Sequence, residues 1–265
     1  MCTLTIKFNP RDDYSIIIAA NRDEFYTRSS SPPTIIETDP IIFAPQDLEA
    51  GGTWFGINEY GLAAMITNVW TMSNGRLYQG ETSTRSRGQL TLDVLRCPNV
   101  KSAKIVVQQK IEADIYQFFN LAVLSYKEGI VFSFAGELKE FPLSPGEAII
   151  LNTPYHSSPQ KPDRLPQYTP EINLSDNAIH QWLSEVQNYL SQHPDYCKHN
   201  EFYGTRSSQI VLISKRDPSA DGHELLFQDR MWYADGPPCD TTFIDFSSQL
   251  QMVTASSISQ TDEVS

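Results

Sequence analysis

Ile16-Ile17-Ile18 constrains this chain more than any other stretch. Successive side chains of a strand face opposite sides, so three consecutive isoleucines put branched apolar surface on both faces. Such a strand needs a covering layer above and another below. Residues 14–20 therefore read as a central strand. The alternating run of residues 2–8, Cys-Thr-Leu-Thr-Ile-Lys-Phe, reads as its hairpin partner, across the turn composition Asn9-Pro10-Arg11-Asp12-Asp13. The central strand leads straight into Asn21-Arg22-Asp23-Glu24. A simple hairpin register brings these four polar residues to the same end of the sheet as Cys2. As structure they are a solvated strand end with an Arg–Asp pair; as function they are a charged cluster that tunes a thiol.

Cys2 itself follows Met1 directly. Methionine ahead of a small residue is usually trimmed, and trimming leaves Cys2 with a thiol and a free α-amine on one residue. The thiolate is the nucleophile, and an α-amine of pKa near ~8 can take the proton at neutral pH. By position alone Cys2 reads as one more small buried hydrophobe. The polar tetrad turns the reading toward chemistry.

The balance of charge narrows the partners. Asp and Glu number 32 against 20 Lys and Arg, a formal net charge of -12, which argues against nucleic acid and anionic membrane. Cys2, Cys97, Cys197 and Cys239 show no CxxC and no metal-ligand spacing, and the five histidines form no regular pair. No metal site is expected, and a reducing, cytoplasmic location fits. The start lacks a basic segment followed by an apolar core, and no apolar run is long enough to span a bilayer. The oligomeric state stays open.

Further along, Gly51-Gly52-Thr53-Trp54-Phe55-Gly56-Ile57-Asn58 and Gly61-Leu62-Ala63-Ala64-Met65-Ile66-Thr67-Asn68 read as antiparallel strands around a turn at residues 58–61. Glycines before and inside a strand mark close approach of a backbone or ligand. Trp54, Phe55 and Tyr60 either wall an apolar pocket or are plain core. A helix is expected from Ser86 or Arg87 to about Leu95, another over residues 100–111, and the strongest over 176–193, with Ile179, Trp182, Leu183, Val186 and Leu190 on one face. Residues 159–170 read as a proline-rich connection. Strands follow over 208–214, 223–233 and 241–246. Early hairpins, middle helices and late hairpins make an α+β domain over residues 1–246, and 247–265 reads as a polar, frayed tail.

Met-Cys ahead of a strand, Asn21-Arg22-Asp23-Glu24-Phe25, Gly51-Gly52-Thr53-Trp54-Phe55-Gly56 and Gly204-Thr205-Arg206-Ser207 occur here in order. That ordered set resembles the NRDE family, also called transport and Golgi organisation 2. The segment order is also similar to the choloylglycine hydrolase and penicillin V acylase group of N-terminal nucleophile hydrolases. That second resemblance implies a four-layer αββα sandwich of antiparallel sheets, with Cys2 attacking an amide carbonyl. It matches Asn21 and Glu24 to the group's Arg-x-x-Asp pair, or Arg22 in a shifted register. It implies an oxyanion held by the Asn68 backbone N–H and the Asn152 side chain. Arg206 matches a distal arginine of the group.

The mechanism so implied is Cys2-dependent amide hydrolysis or acyl transfer on a small apolar acyl substrate, with no cofactor required. Arg22 lowers the thiol pKa, and Asp23 or Glu24 orients the thiol or the amine. The alternative is a non-catalytic protein that binds and traffics haem or an acyl lipid such as acyl-CoA. The resemblance allows it because the family is associated with haem trafficking and lipid metabolism. Haem would take Cys2 as its ligand, since no histidine lies in the motifs.

Overall fold

The computed structural model describes residues 2–8, 14–156, 176–192, 197–198, 200–214, 229–238 and 240–255. Met1, the turn at 9–13, the connection at 159–170, Cys239 and the end of the chain from 256 lie outside the described residues. In chain order the first strands are β1 (Thr3–Phe8), β2 (Tyr14–Phe25), β3 (Ser30–Thr38), β4 (Ile41–Asp47), β5 (Phe55–Asn58), β6 (Ala63–Asn68), β7 (Thr71–Ser73) and β8 (Arg76–Tyr78). Helices α1 (Arg87–Leu95) and α2 (Val100–Ala113) follow, then β9 (Phe119–Leu124), β10 (Gly129–Phe134), β11 (Leu138–Pro142) and β12 (Gly146–Ile150). Helix α3 (Asp176–Leu190), β13 (Tyr203–Ser214), β14 (Arg230–Ala234), β15 (Ile244–Asp245) and α4 (Ser247–Ala255) complete the described elements.

The strands form a six-stranded sheet in the order β12-β1-β2-β13-β14-β15 and a seven-stranded sheet in the order β11-β10-β9-β6-β5-β4-β3, with β7 and β8 a separate ribbon. The pairings within both sheets are antiparallel. The period of two sorts the isoleucines of β2 as expected. Ile16 and Ile18 face the second sheet, packing in one core with Phe43, Phe55 and Met65. Ile17 and Ala19 face the other way, against Trp182 and Val186 of α3. On the far side of the second sheet, Leu90, Val94, Ala103 and Val107 of α1 and α2 cover Leu121 and Val123. The layers run helix, sheet, sheet, helix, an α+β sandwich.

Local chemistry supports the helices. Ser86 caps α1 by accepting from the Gly88 N–H, and Asn99 caps α2 by accepting from the Ser102 N–H at 2.9 Å. In α2 the buried Val100, Ala103 and Val107 recur at helical spacing.

Two expectations need correction. The polar tetrad does not lie beyond the strand. β2 continues to Phe25 because twelve-residue β13 runs alongside it, pairing Ser208 with Asn21, Ser207 with Arg22, Thr205 with Asp23 and Gly204 with Glu24. Nor does the chain fray at Ser247. Residues 247–255 form α4, which starts where Asp245 accepts from the Ser247 N–H at 2.8 Å, and it buries Leu250 and Val253 in the core between the sheets. Two apolar side chains three apart sufficed to dock a helix that composition alone reads as polar.

Candidate active site

Thr3 pairs with Asn21, and continuing that antiparallel register sets Cys2 across from Arg22. The Cys2 Sγ points at the Asp23 carbonyl oxygen, 3.9 Å away. Around it lies a cavity of about 100 Å³. The first sheet contributes Cys2, Arg22, Asp23 and Glu24; the second contributes Asp47, Trp54 and Asn68; the start of α1 contributes Arg87. The cavity opens where β1 begins and β6 ends, so it sits between the two sheets at one edge of the core.

The Gly-Gly-Thr-Trp segment builds one wall. Residue 52 has no room for a side chain: a Cβ there would lie 2.4 Å from the Gly88 carbonyl carbon. The missing side chains at 52 and 88 let the start of α1 rest on the strand entry. The Thr53 hydroxyl packs 2.6 Å from the carbonyls of both Pro45 and Phe55, fixing the turn that presents Trp54. The Arg22 guanidinium stacks 4.1 Å above the Trp54 ring, and the Trp54 indole N–H donates to Gln209 at 3.4 Å.

Charge in the cavity is tightly interlocked. Arg22 is only 5% exposed, with Nη2 3.6 Å from Asp47 Oδ2. Arg28 donates from Nε to the same Asp47 oxygen at 2.8 Å and reaches Glu24 at 3.8 Å. Asp23 Oδ1 accepts from the Thr205 hydroxyl at 2.7 Å, and the Tyr203 phenol donates to the Asp23 carbonyl at 3.0 Å.

Arg22 acts on the thiol in the expected sense, but the surrounding as a whole acts in the opposite one. Burial pushes the Cys2 thiol above its ordinary range, and the negative charge of Asp23 adds to the rise. The charge of the chain's N-terminus, the Asp23 carbonyl contact and the Arg22 charge, in that order, pull it down by less. Burial likewise raises Asp23 and lowers Arg87, to about 10. Cys2 therefore rests as a thiol and needs a base in the step where it attacks. Arg22 still favours the thiolate. Arg22→Ala is expected to slow iodoacetamide alkylation of Cys2 at neutral pH by about threefold, because the thiolate loses a nearby permanent cation. An unchanged rate across pH would leave Arg22 a scaffold residue only.

The two residues expected to hold an oxyanion lie at the end of β6, where Asn68 lines the cavity, and after β12, where Asn152 does not line it. Val69 donates to the Phe118 carbonyl, which makes Asn68–Phe119 the non-hydrogen-bonded pair of the β6–β9 ladder. The Asn68 N–H and C=O therefore point away from β9, to the side where β5 has ended. The Asn68 carbonyl accepts from the Asn152 side-chain amide at 2.5 Å. Asn152 is buried at 2% exposure, and its Oδ1 has no hydrogen-bond partner among the described residues.

With this geometry in hand, comparison places the chain among known proteins. The family model for Transport and Golgi organisation 2 matches residues 1–164. The human Transport and Golgi organization protein 2 homolog is 30% identical over 287 residues, covering 94% of this chain and 100% of the relative. The chain belongs to the Transport and Golgi organisation 2 family. The Bos taurus homolog is 29% identical with the same coverage. Among solved structures, the C2A mutant of conjugated bile acid hydrolase from Clostridium perfringens superposes with a TM-score of 0.52 at 13% identity, covering 94% of this chain and 93% of the other. That likeness shows the fold, a four-layer αββα sandwich that is N-terminal nucleophile hydrolase-like.

In this family member the tetrad is divided by strand alternation. Arg22 and Glu24 face the cavity side, whereas Asn21 faces α3, donating to the Leu190 carbonyl at 2.9 Å and accepting from Ser208 at 2.7 Å. Asn21 is thus a strut between sheet and helix, and Arg22 is the tetrad residue that lies across from Cys2. Phe55 is fully buried core rather than cavity wall. Tyr60 lies in the β5–β6 turn, at the opposite end of those strands from Asn68. Arg206 occupies the bulge of β13 between Thr205 and Ser207 and does not line the cavity. Of the pocket aromatics only Trp54 reaches it. Sequence reading missed Asp47, Arg28 and Arg87. Arg28, four residues past Glu24, carried a local signal; Asp47 and Arg87 arrive through tertiary contacts that no spacing announces.

Proposed function

We propose that this protein is an N-terminal nucleophile amidohydrolase or acyltransferase that works through Cys2. The observation that carries the reading is the Cys2 sulfur at the head of β1, set in a cavity between two sheets with Arg22 across from it and the Asn68 N–H side of β6 facing it. The shared fold with a conjugated bile acid hydrolase supports it. After Met1 is trimmed, the Cys2 α-amine takes the thiol proton as sulfur attacks the acyl carbonyl carbon. The carbonyl π electrons move onto oxygen, where Asn68 N–H and Asn152 stabilise the charge. The C–N bond then breaks, the α-ammonium returns its proton to the leaving amine, and a thioester remains on Cys2. Water, or an acceptor in transfer, takes the acyl group with the amine again as base. The raised thiol accords with this order, because it keeps sulfur protonated until substrate and amine are aligned.

The cavity of about 100 Å³ suits a small group at the reacting centre, below the roughly 300–1,000 Å³ of drug-sized pockets. Haem, the alternative ligand, draws less support. Among the described residues no histidine lines the cavity. No helix among the described residues is long and apolar enough to cross a membrane. The free thiols Cys2, Cys97 and Cys197 favour a reducing, cytoplasmic setting.

The test is to incubate the protein with N-acyl amides of graded chain length and follow both amine release and intact mass. An acyl adduct on Cys2, absent from Cys2→Ala, is expected. Neither adduct nor amine with any member of the series would overturn the reading.

A further inference from the structure

Three arginines and three carboxylates line the cavity, yet they do not pair off. Arg28 engages both Asp47 and Glu24, and Arg22 Nη2 shares Asp47. Asp23 takes the Thr205 hydroxyl. Arg87 has no carboxylate within 4 Å among the described residues; its protein acceptor is the Phe118 carbonyl, which Nη1 meets at 3.0 Å. A guanidinium carries five N–H groups in a fixed fork, so most of this one is unspent.

We propose that Arg87 and the Nη1 group of Arg22 form a subsite for an anionic group of the ligand, a carboxylate or a phosphate close to the scissile carbonyl. This rests on the hydrolase reading for what happens next, but not for the binding itself. Two independent features converge on the subsite. Arg22 is 5% exposed, and its Nη1 is buried without a partner among the described residues, a donor left for something absent from the protein. Arg87 opens the nine-residue helix α1 at the cavity wall, where the helix adds partial positive charge. Burial already costs the Arg87 cation, lowering it to about 10, and the Cys2 sulfur lies within its electrostatic reach. An anion bound here would relieve that cost and set the neighbouring acyl carbonyl near the sulfur. In a chain of net charge -12, the cavity's carboxylates are offset by its arginines, and Arg87 stands there without a carboxylate partner among the described residues, a local cation for an anionic ligand.

The test separates binding from turnover by using Cys2→Ala protein, which cannot form the thioester. Calorimetry would compare four probes: N-hexanoylglycine, its methyl ester, N-hexanoylphosphoethanolamine and N-hexanoylethanolamine. Each anionic probe is expected to bind about tenfold or more tightly than its neutral partner, the scale of a charge-assisted bidentate contact. Preference confined to one pair identifies the anion as carboxylate or phosphate. Arg87→Gln is expected to bring the ratio near one, and Arg87→Lys to retain part of it. Equal affinity for charged and neutral probes without any change at Arg87 overturns the subsite, and that comparison stands even if Arg87→Gln fails to fold. A ratio that persists in folded Arg87→Gln overturns it too. Anion-selective binding with no turnover by the unmutated protein would sink the hydrolase reading and leave the subsite standing.

Discussion

A chain that keeps a residue ahead of Cys2 is expected to fold normally and lose amide hydrolysis by about 10⁴-fold or more, the scale of removing a nucleophile–base unit. The α-amine is the base in this mechanism. A retained Met1 turns it into an amide nitrogen with no basic lone pair. Among the described residues no histidine lines the wall, and its carboxylates are engaged, Asp47 by Arg22 and Arg28, Glu24 by Arg28 and Asp23 by the Thr205 hydroxyl. Because burial and Asp23 raise the Cys2 thiol, unassisted ionisation at neutral pH is scarcer than for an exposed cysteine. The measurement is intact mass of the active protein beside kinetics of a variant with a bulky residue inserted after Met1. Full activity with Met1 attached would remove the N-terminal nucleophile mechanism and favour a binding role.

Asn152→Ala is expected to lower the rate of acyl transfer by about 10²–10³-fold, the cost of one oxyanion donor. The fold should survive, because the segment around residue 152 is held by other groups. The Asn120 side-chain amide donates to the carbonyls of Leu151 and Thr153 at 2.9 Å each, and the Trp70 N–H donates to the Asn152 backbone carbonyl. The Asn152 side chain also holds the Asn68 carbonyl, so the substitution loosens the second oxyanion donor as well. Single-turnover rates and thermal unfolding on the same samples decide it. A normal rate in a folded Asn152→Ala protein takes Asn152 out of the oxyanion role.

Local chemistry and period made much of this molecule legible from the chain alone. The isoleucine run demanded a strand covered on both faces, and the structure covers it with a sheet on one side and α3 on the other. Short connection and alternation paired β1 with β2, which brings Cys2 beside the tetrad. The two glycines before Thr53 signalled close approach, and Gly88 is what approaches. These are consequences of side-chain period and missing side-chain volume, both carried by neighbours in sequence.

What tertiary structure alone decided depends on partners distant in the chain. Leu190 and Ser208 turned Asn21 from a site residue into a strut. The facing helix and sheet made Phe55 core and left only Trp54 for the cavity. α4 docked because Leu250 and Val253 found the space between the sheets. Arg87 entered the site by the packing of Gly88 on Gly52, and Asp47 by its ion pairs with Arg22 and Arg28. The sign of the thiol shift follows the same rule. An arginine next to Cys2 in register suggests a lowered pKa, but burial is a property of the assembled layers, and here desolvation outweighs the nearby cation.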